Sequence, residues 1–150
     1  MGIKIIANNK KARFDYTVVE TMEAGLSLRG SEVKSLRDGA CNLKDSYVAF
    51  KGHEAFLQKA HISEFKASSY NNHEPERMRK LLLHKNELNK IYASMREKGY
   101  SCVPLKIYFK GGRVKLEIAL VKGKKQHDKR QDIKEKSAKR DIQRQLKRNR

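Results

Sequence analysis

Hydrophobic and polar residues alternate along much of this chain, the pattern of half-buried strands. Phe14, Tyr16 and Val18 alternate with Asp15 and Thr17, which predicts a strand there. Tyr47–Lys51 and Ala55–Ile62 flank Gly52 and predict a hairpin. Leu105–Phe109 and Val114–Val121 flank Gly111-Gly112, a stronger hairpin signal because both turn residues tolerate positive φ. In the second strand of that pair Val114, Leu116, Ile118 and Leu120 face one way, and Lys115 and Glu117 the other.

Two stretches depart from this alternation. Ser31–Arg37 reads better as a short helix: Ser31 is a good N-cap, Glu32 suits the first turn and Gly39 suits the residue after the last one. Leu88, Ile91, Tyr92 and Met95 fall on one helical face, with His84 as cap, Glu87 in capping-box position and Gly99 as stop. Asn71-Asn72 and Pro75 mark a loop before it. The fold class predicted is mainly β with flanking helices. About six short strands suggest a small closed antiparallel barrel, OB-like in one reading and SH3-like in another.

Charge changes the picture most. The 150 residues carry 35 Lys/Arg against 17 Asp/Glu, a net of +18. A surplus of this size repels itself and implies a polyanionic partner. Residues 122–150 alone hold 13 Lys/Arg against four Asp/Glu, a net of +9. Their large aliphatics are only Ile133, Ile142 and Leu146, too few to offset the entropy of ordering, so this basic C-terminal tail is expected to be disordered when free. The division expected is a folded body over 1–121 and a tail over 122–150. Ala138, Ile142 and Leu146 step by four, so the tail carries one narrow apolar stripe should it become helical on a surface.

Other classes recede. No apolar run approaches the roughly 20 residues of a membrane span. The opening MGIKII is no signal peptide, and Ile6 stands where myristoylation wants Ser or Thr, so a cytoplasmic protein is expected. A membrane surface would call for bulky anchors, yet there is no Trp and the most basic segment has no Phe. Cys41 and Cys102 lie far apart and read as reduced thiols, and the five histidines lack metal-ligand spacing, so neither metal nor cofactor is expected. No GxSxG, P-loop or GxGxxG organises a catalytic set, so no enzyme is expected.

Basic clusters carry the candidate chemistry. They are Asn9-Lys10-Lys11-Ala12-Arg13-Phe14, Glu76-Arg77-Met78-Arg79-Lys80 and Lys122-Gly123-Lys124-Lys125. Lys and Arg neutralise phosphates and release counterions, while Phe14 or Tyr16 could stack on unpaired bases. A charge run is also often just a solvated face, and each cluster alone is compatible with that.

The strings NNKKARFDY (8–16), EAGLSLRGSEVKSLRDG (23–39), DSYVAF (45–50), EPERMRKLLLHKNEL (74–88) and LKIYFKGGRVKLEIALVKGKKQHDKR (105–130) run through nearly the whole chain. On these the chain resembles the SmpB family, the SsrA-binding proteins that partner transfer-messenger RNA in bacterial trans-translation. The resemblance implies an OB-like barrel that binds the tRNA-like domain of that RNA. It also implies delivery to stalled ribosomes with elongation factor Tu, the protein acting as a monomer. By the same resemblance Asn9, Lys10, Arg13, Glu23, Glu32, Leu82 and Lys115 are RNA-contact positions, with Lys122, Lys124 and Lys125 beside them. His127, Asp128, Lys129 and Arg130 match the segment that enters the ribosomal decoding centre, and the tail would become helical in the empty messenger channel. The residues themselves leave other roles open: a first-turn charge for Glu32, ordinary core for Leu82, a solvated strand lysine for Lys115. Two departures stand out: Ser31 where many relatives have Thr, and Ala138 where some carry a bulky aromatic. A structural ribosomal protein and an RNA-modifying enzyme are the competing readings.

Overall fold

The structure is a computed structural model that describes residues 2–65 and 72–123. Nine strands and three helices follow in the order β1 (Ile3–Asn8), α1 (Lys10–Asp15), β2 (Tyr16–Leu26), α2 (Gly30–Arg37), β3 (Cys41–Asn42), β4 (Tyr47–Lys51), β5 (Glu54–Gln58), β6 (His61–Ile62), β7 (Arg79–Leu82), α3 (Lys85–Lys98), β8 (Ser101–Lys110) and β9 (Arg113–Gly123). Seven strands form one antiparallel sheet in the order β1-β8-β9-β2-β7-β5-β4, and β3 pairs with β6 apart from it.

The long β8–β9 hairpin anchors the sheet. Lys110 pairs with Arg113 across Gly111 (φ 57°) and Gly112 (φ 77°), so both turn residues adopt the left-handed backbone that a two-residue hairpin needs. β9 then pairs with β2 from Lys115 opposite Gly25 to Gly123 opposite Tyr16. The inner face of the sheet buries Ala24, Leu57, Leu81, Ile107, Leu116, Ile118 and Leu120, with Ile91 of α3 and Leu36 of α2 packed on it. Each fully buried Leu or Ile among them contributes about 1.5–3 kcal/mol. A second cluster lies on the other face, where α1 sets Ala12 over Val103, Leu105, Ala119 and Val121.

Several expectations change. The sheet is not a closed barrel: among the described residues no ladder joins its end strands β1 and β4. β1 pairs only with the Lys106–Lys110 half of β8. Beside the other half, the buried side chain of Asn9 donates to the carbonyls of Leu43 (3.2 Å) and Pro104 (2.9 Å), so a side-chain bridge stands where a strand would close the sheet. A cleft of about 530 Å³ remains there between β4, α1 and the start of β8. The strand expected at Phe14 begins only at Tyr16, because Asn9 caps a short helix by accepting from the Ala12 amide. The strand expected over Ala55–Ile62 is two, Glu54–Gln58 and His61–Ile62. The helices at 30–37 and 85–98 stand where the sequence put them, and Gly99 closes the second at φ 68°. Ser31, however, is no cap: Arg29 holds that place, and the Ser31 hydroxyl meets Nδ1 of buried His73 at 2.9 Å. The last strand runs two residues past the boundary expected at 121.

Candidate nucleic-acid interface

Register assembles the site. On the outer face of the sheet, Leu82 of β7 stands opposite Gly25 of β2, Gly25 opposite Lys115 of β9, and Lys115 opposite Tyr108 of β8. Opposed residues in antiparallel strands share a face, so these four form one row across four strands. Glu23, two residues before Gly25, lies on the same face. Gly25 is a close-approach position: a Cβ there would lie 3.2 Å from the Leu82 Cβ. Its absence lets Leu82 stand over β2 with 53% of its surface exposed.

The row is bordered by two shallow clefts that share Gly25, Leu82 and Lys115. One, of about 630 Å³, also takes in Glu23, Lys80 and His84. The other, of about 300 Å³, lies toward Leu28, Val33 and Arg113. Leu82 is a ridge between them, flanked by cations. An exposed apolar side chain beside Lys and Arg suits a base face set among phosphates.

Glu23 is the acidic exception. Its Oε2 accepts from the Tyr108 hydroxyl at 2.5 Å and from Lys110 Nζ at 3.3 Å. The Tyr108 hydrogen bond, helped by Lys110 and nearby Lys115, holds this carboxyl below its ordinary range. Tyr108 itself is pushed up, first by burial and then by Glu23, so it stays a donor.

The other predicted residues divide. Lys10 and Arg13 are exposed on α1, and Lys122 is exposed at the same end of the sheet, opposite Thr17. At about 3.4 Å per residue along β9, that end is about 24 Å from Lys115. Asn9 is buried: its amide donates to the Leu43 and Pro104 carbonyls and its oxygen accepts from the Ala12 amide, so in this structure it shapes α1. Glu32 is buried as well. Its side chain has no exposure, and its carboxylate accepts from Arg77 at 2.5 Å, from Arg79 Nε, and from the Arg29 amide at 2.8 Å. Burial pulls its carboxyl upward, but the bonds from Arg77, the Arg29 amide and Arg79 outweigh it and leave it below the ordinary value. The second basic cluster dissolves in consequence: Arg79 is buried on Glu32, Arg77 is bonded to it, and Lys80 pairs with Glu54. Lys124, Lys125, His127, Asp128, Lys129, Arg130, Ala138, Ile142 and Leu146 lie outside the described residues.

Tyr108, Lys110 and Arg113 belong to the face but were not singled out from sequence. The Gly111-Gly112 turn held the signal, since a two-residue hairpin sets Lys110 against Arg113 and Tyr108 against Lys115. Among the described residues no group of His, Cys, Asp and Glu could hold a metal, and no helix is long and apolar enough to cross a membrane. Burial pushes the thiols of Cys41 to about 11 and Cys102 to about 12.

The sequence profile of the SmpB protein family matches residues 6–148. The chain belongs to the SmpB family. It is 68% identical to the SsrA-binding protein of Bdellovibrio bacteriovorus over 99% of this chain and 98% of the relative. It is 52% identical to that of Myxococcus xanthus over 98% of this chain and 91% of the relative. Among solved structures it is similar to a chain of "tmRNA-SmpB: a journey to the center of the bacterial ribosome", with a TM-score of 0.68 and 41% identity over 85% of this chain and 93% of that one.

Proposed function

We propose that this protein binds the tRNA-like domain of transfer-messenger RNA and brings it to stalled ribosomes for trans-translation. The observation that carries the reading is the convergence of Glu23, Leu82 and Lys115 on one outer face of a chain that belongs to the SmpB family. Lys115, Arg113 and Lys110 meet phosphates, Leu82 lies against a base or ribose, and Glu23 accepts from an N–H or O–H of the RNA. Lys10, Arg13 and Lys122 form a second electropositive end that adds affinity without reading sequence. Elongation factor Tu joins the delivery complex, the protein acts as a cytoplasmic monomer, and no catalysis is required of it.

The tail has a separate task in this reading. His127, Asp128, Lys129 and Arg130 reach the decoding centre, and the stripe Ala138, Ile142, Leu146 supports a helix in the messenger channel. The test is a translation system stalled on a messenger without a stop codon and supplied with transfer-messenger RNA and elongation factor Tu. The full chain should restore peptide tagging. Deletion of residues 128–150 should abolish tagging while RNA affinity stays within about twofold of the full chain. Loss of both together would defeat the division of labour.

A further inference from the structure

Glu23 is an odd choice for a surface that meets a polyanion, and its fixed geometry gives it a use. Tyr108 is 4% exposed, and Lys106 Nζ lies 5.6 Å from its ring centroid, so the ring is pinned within the sheet face. Its hydroxyl and Lys110 both engage Oε2. Among the described residues no donor reaches Oε1, and 38% of the Glu23 side chain is exposed beside the Lys115–Leu82 cleft. An exposed glutamate free to rotate would sample many rotamers and repel phosphates. One oxygen tied to a buried tyrosine leaves the other as a single aimed acceptor.

We propose that Tyr108 is a positioning residue for RNA recognition: it fixes Glu23 so that Oε1 accepts from a donor on an unpaired nucleotide, a base amine or a ribose 2′-hydroxyl. This rests on the function proposed above and goes past it, because it makes the site selective for a hydrogen-bond donor rather than only for charge. Lys115 and Lys110 on either side take the flanking phosphates, which keeps the carboxylate from facing bare anion. Tyr108 touches no RNA itself.

A double-mutant cycle on the full chain tests this, with affinity for a transcript of the tRNA-like domain of transfer-messenger RNA as the readout. Tyr108→Phe should weaken binding by about 5–10-fold in the wild-type background and not at all in a Glu23→Ala background. A merely structural Tyr108 would cost the same in both, and that result, or an unchanged affinity, overturns the proposal. Affinities are measured well below the Tm of every variant, so that a change in stability does not enter the comparison. Carbon-detected carboxyl NMR of the free protein gives a second readout: Tyr108→Phe should raise the Glu23 titration toward the ordinary value of 4.5. Transcripts then separate the two donor sources. Removing loop amines one at a time (inosine for guanosine, purine riboside for adenosine, pyrimidin-2-one riboside for cytidine) should make Glu23→Ala neutral if a base is read. The 2′-deoxy substitutions should do so if the ribose is. A Glu23→Ala penalty that no substitution removes would refute the aimed acceptor. Failure of the wild-type chain to bind the transcript at all would instead refute the proposed function.

Discussion

Glu23 and Glu32 stand nine positions apart in one stretch of sequence, EAGLSLRGSE, and the fold gives them opposite lives. Glu32 sits in the first turn of α2 with no exposure, bound by two arginines and a backbone amide. Glu23 sits on the outer face of β2 with one oxygen fixed and its side chain open to the cleft. Both carboxyls titrate below their ordinary range, yet for different reasons: dense pairing that overcomes burial in one, a tyrosine hydroxyl in the other. A depressed carboxyl therefore does not identify a binding residue in this protein. The two differ instead in exposure and in whether a nucleotide can reach them.

The sharpest way to break this contrast is Glu32→Ala. It strands Arg79 inside the protein without a counter-ion, so urea unfolding should show a loss of about 3–5 kcal/mol, and RNA binding should fall only as the fold does. Glu23→Ala should do the reverse, with only the small Tm loss of a freed Tyr108 hydroxyl and with affinity reduced. An unaltered urea midpoint in the Glu32 variant would return that residue to the surface. Acid sharpens the same point. A carboxyl depressed below 4.5 stabilises the fold fully above that pH, and the contribution is lost as pH falls through its folded value. Stability should decline below about pH 4.5, and Glu32→Gln should flatten the decline. Next in size is Asn9→Ala, which removes the cap of α1 and the bridge to Leu43 and Pro104 and should cost about 1–2 kcal/mol by chemical denaturation. The smallest effect expected is from Lys115→Ala: the melting temperature should hold, binding should weaken, and the slope of log affinity against log salt should fall by about one. A matching collapse in Tm would make Lys115 structural.

Much of the candidate site was legible, and the misses share a cause. The Gly111-Gly112 turn and the alternation of Val114–Leu120 gave the β8–β9 hairpin, and hence the outward placement of Lys115. The stripe from Leu88 to Met95, with Gly99 as stop, gave α3. Local pattern could not show that Asn9 would cap α1 from the Ala12 amide while its own amide bonds carbonyls 34 and 95 residues away, beside the half of β8 that β1 does not pair. Nor could it show that Arg77 and Arg79 would be drawn inward by Glu32, 45 and 47 residues earlier. A basic cluster in sequence is a surface only if no distant carboxylate claims it.

The central claim, that this face reads a particular RNA shape, is met most directly by a salt titration of binding. The ligands are the tRNA-like domain of transfer-messenger RNA and an ordinary tRNA of equal length. The account predicts tight binding that favours the first and persists at about 150 mM salt, with the preference lost in Glu23→Ala. Equal binding to both RNAs, collapsing together as salt rises, would contradict it and leave only a basic polyanion binder of the kind a structural ribosomal protein needs.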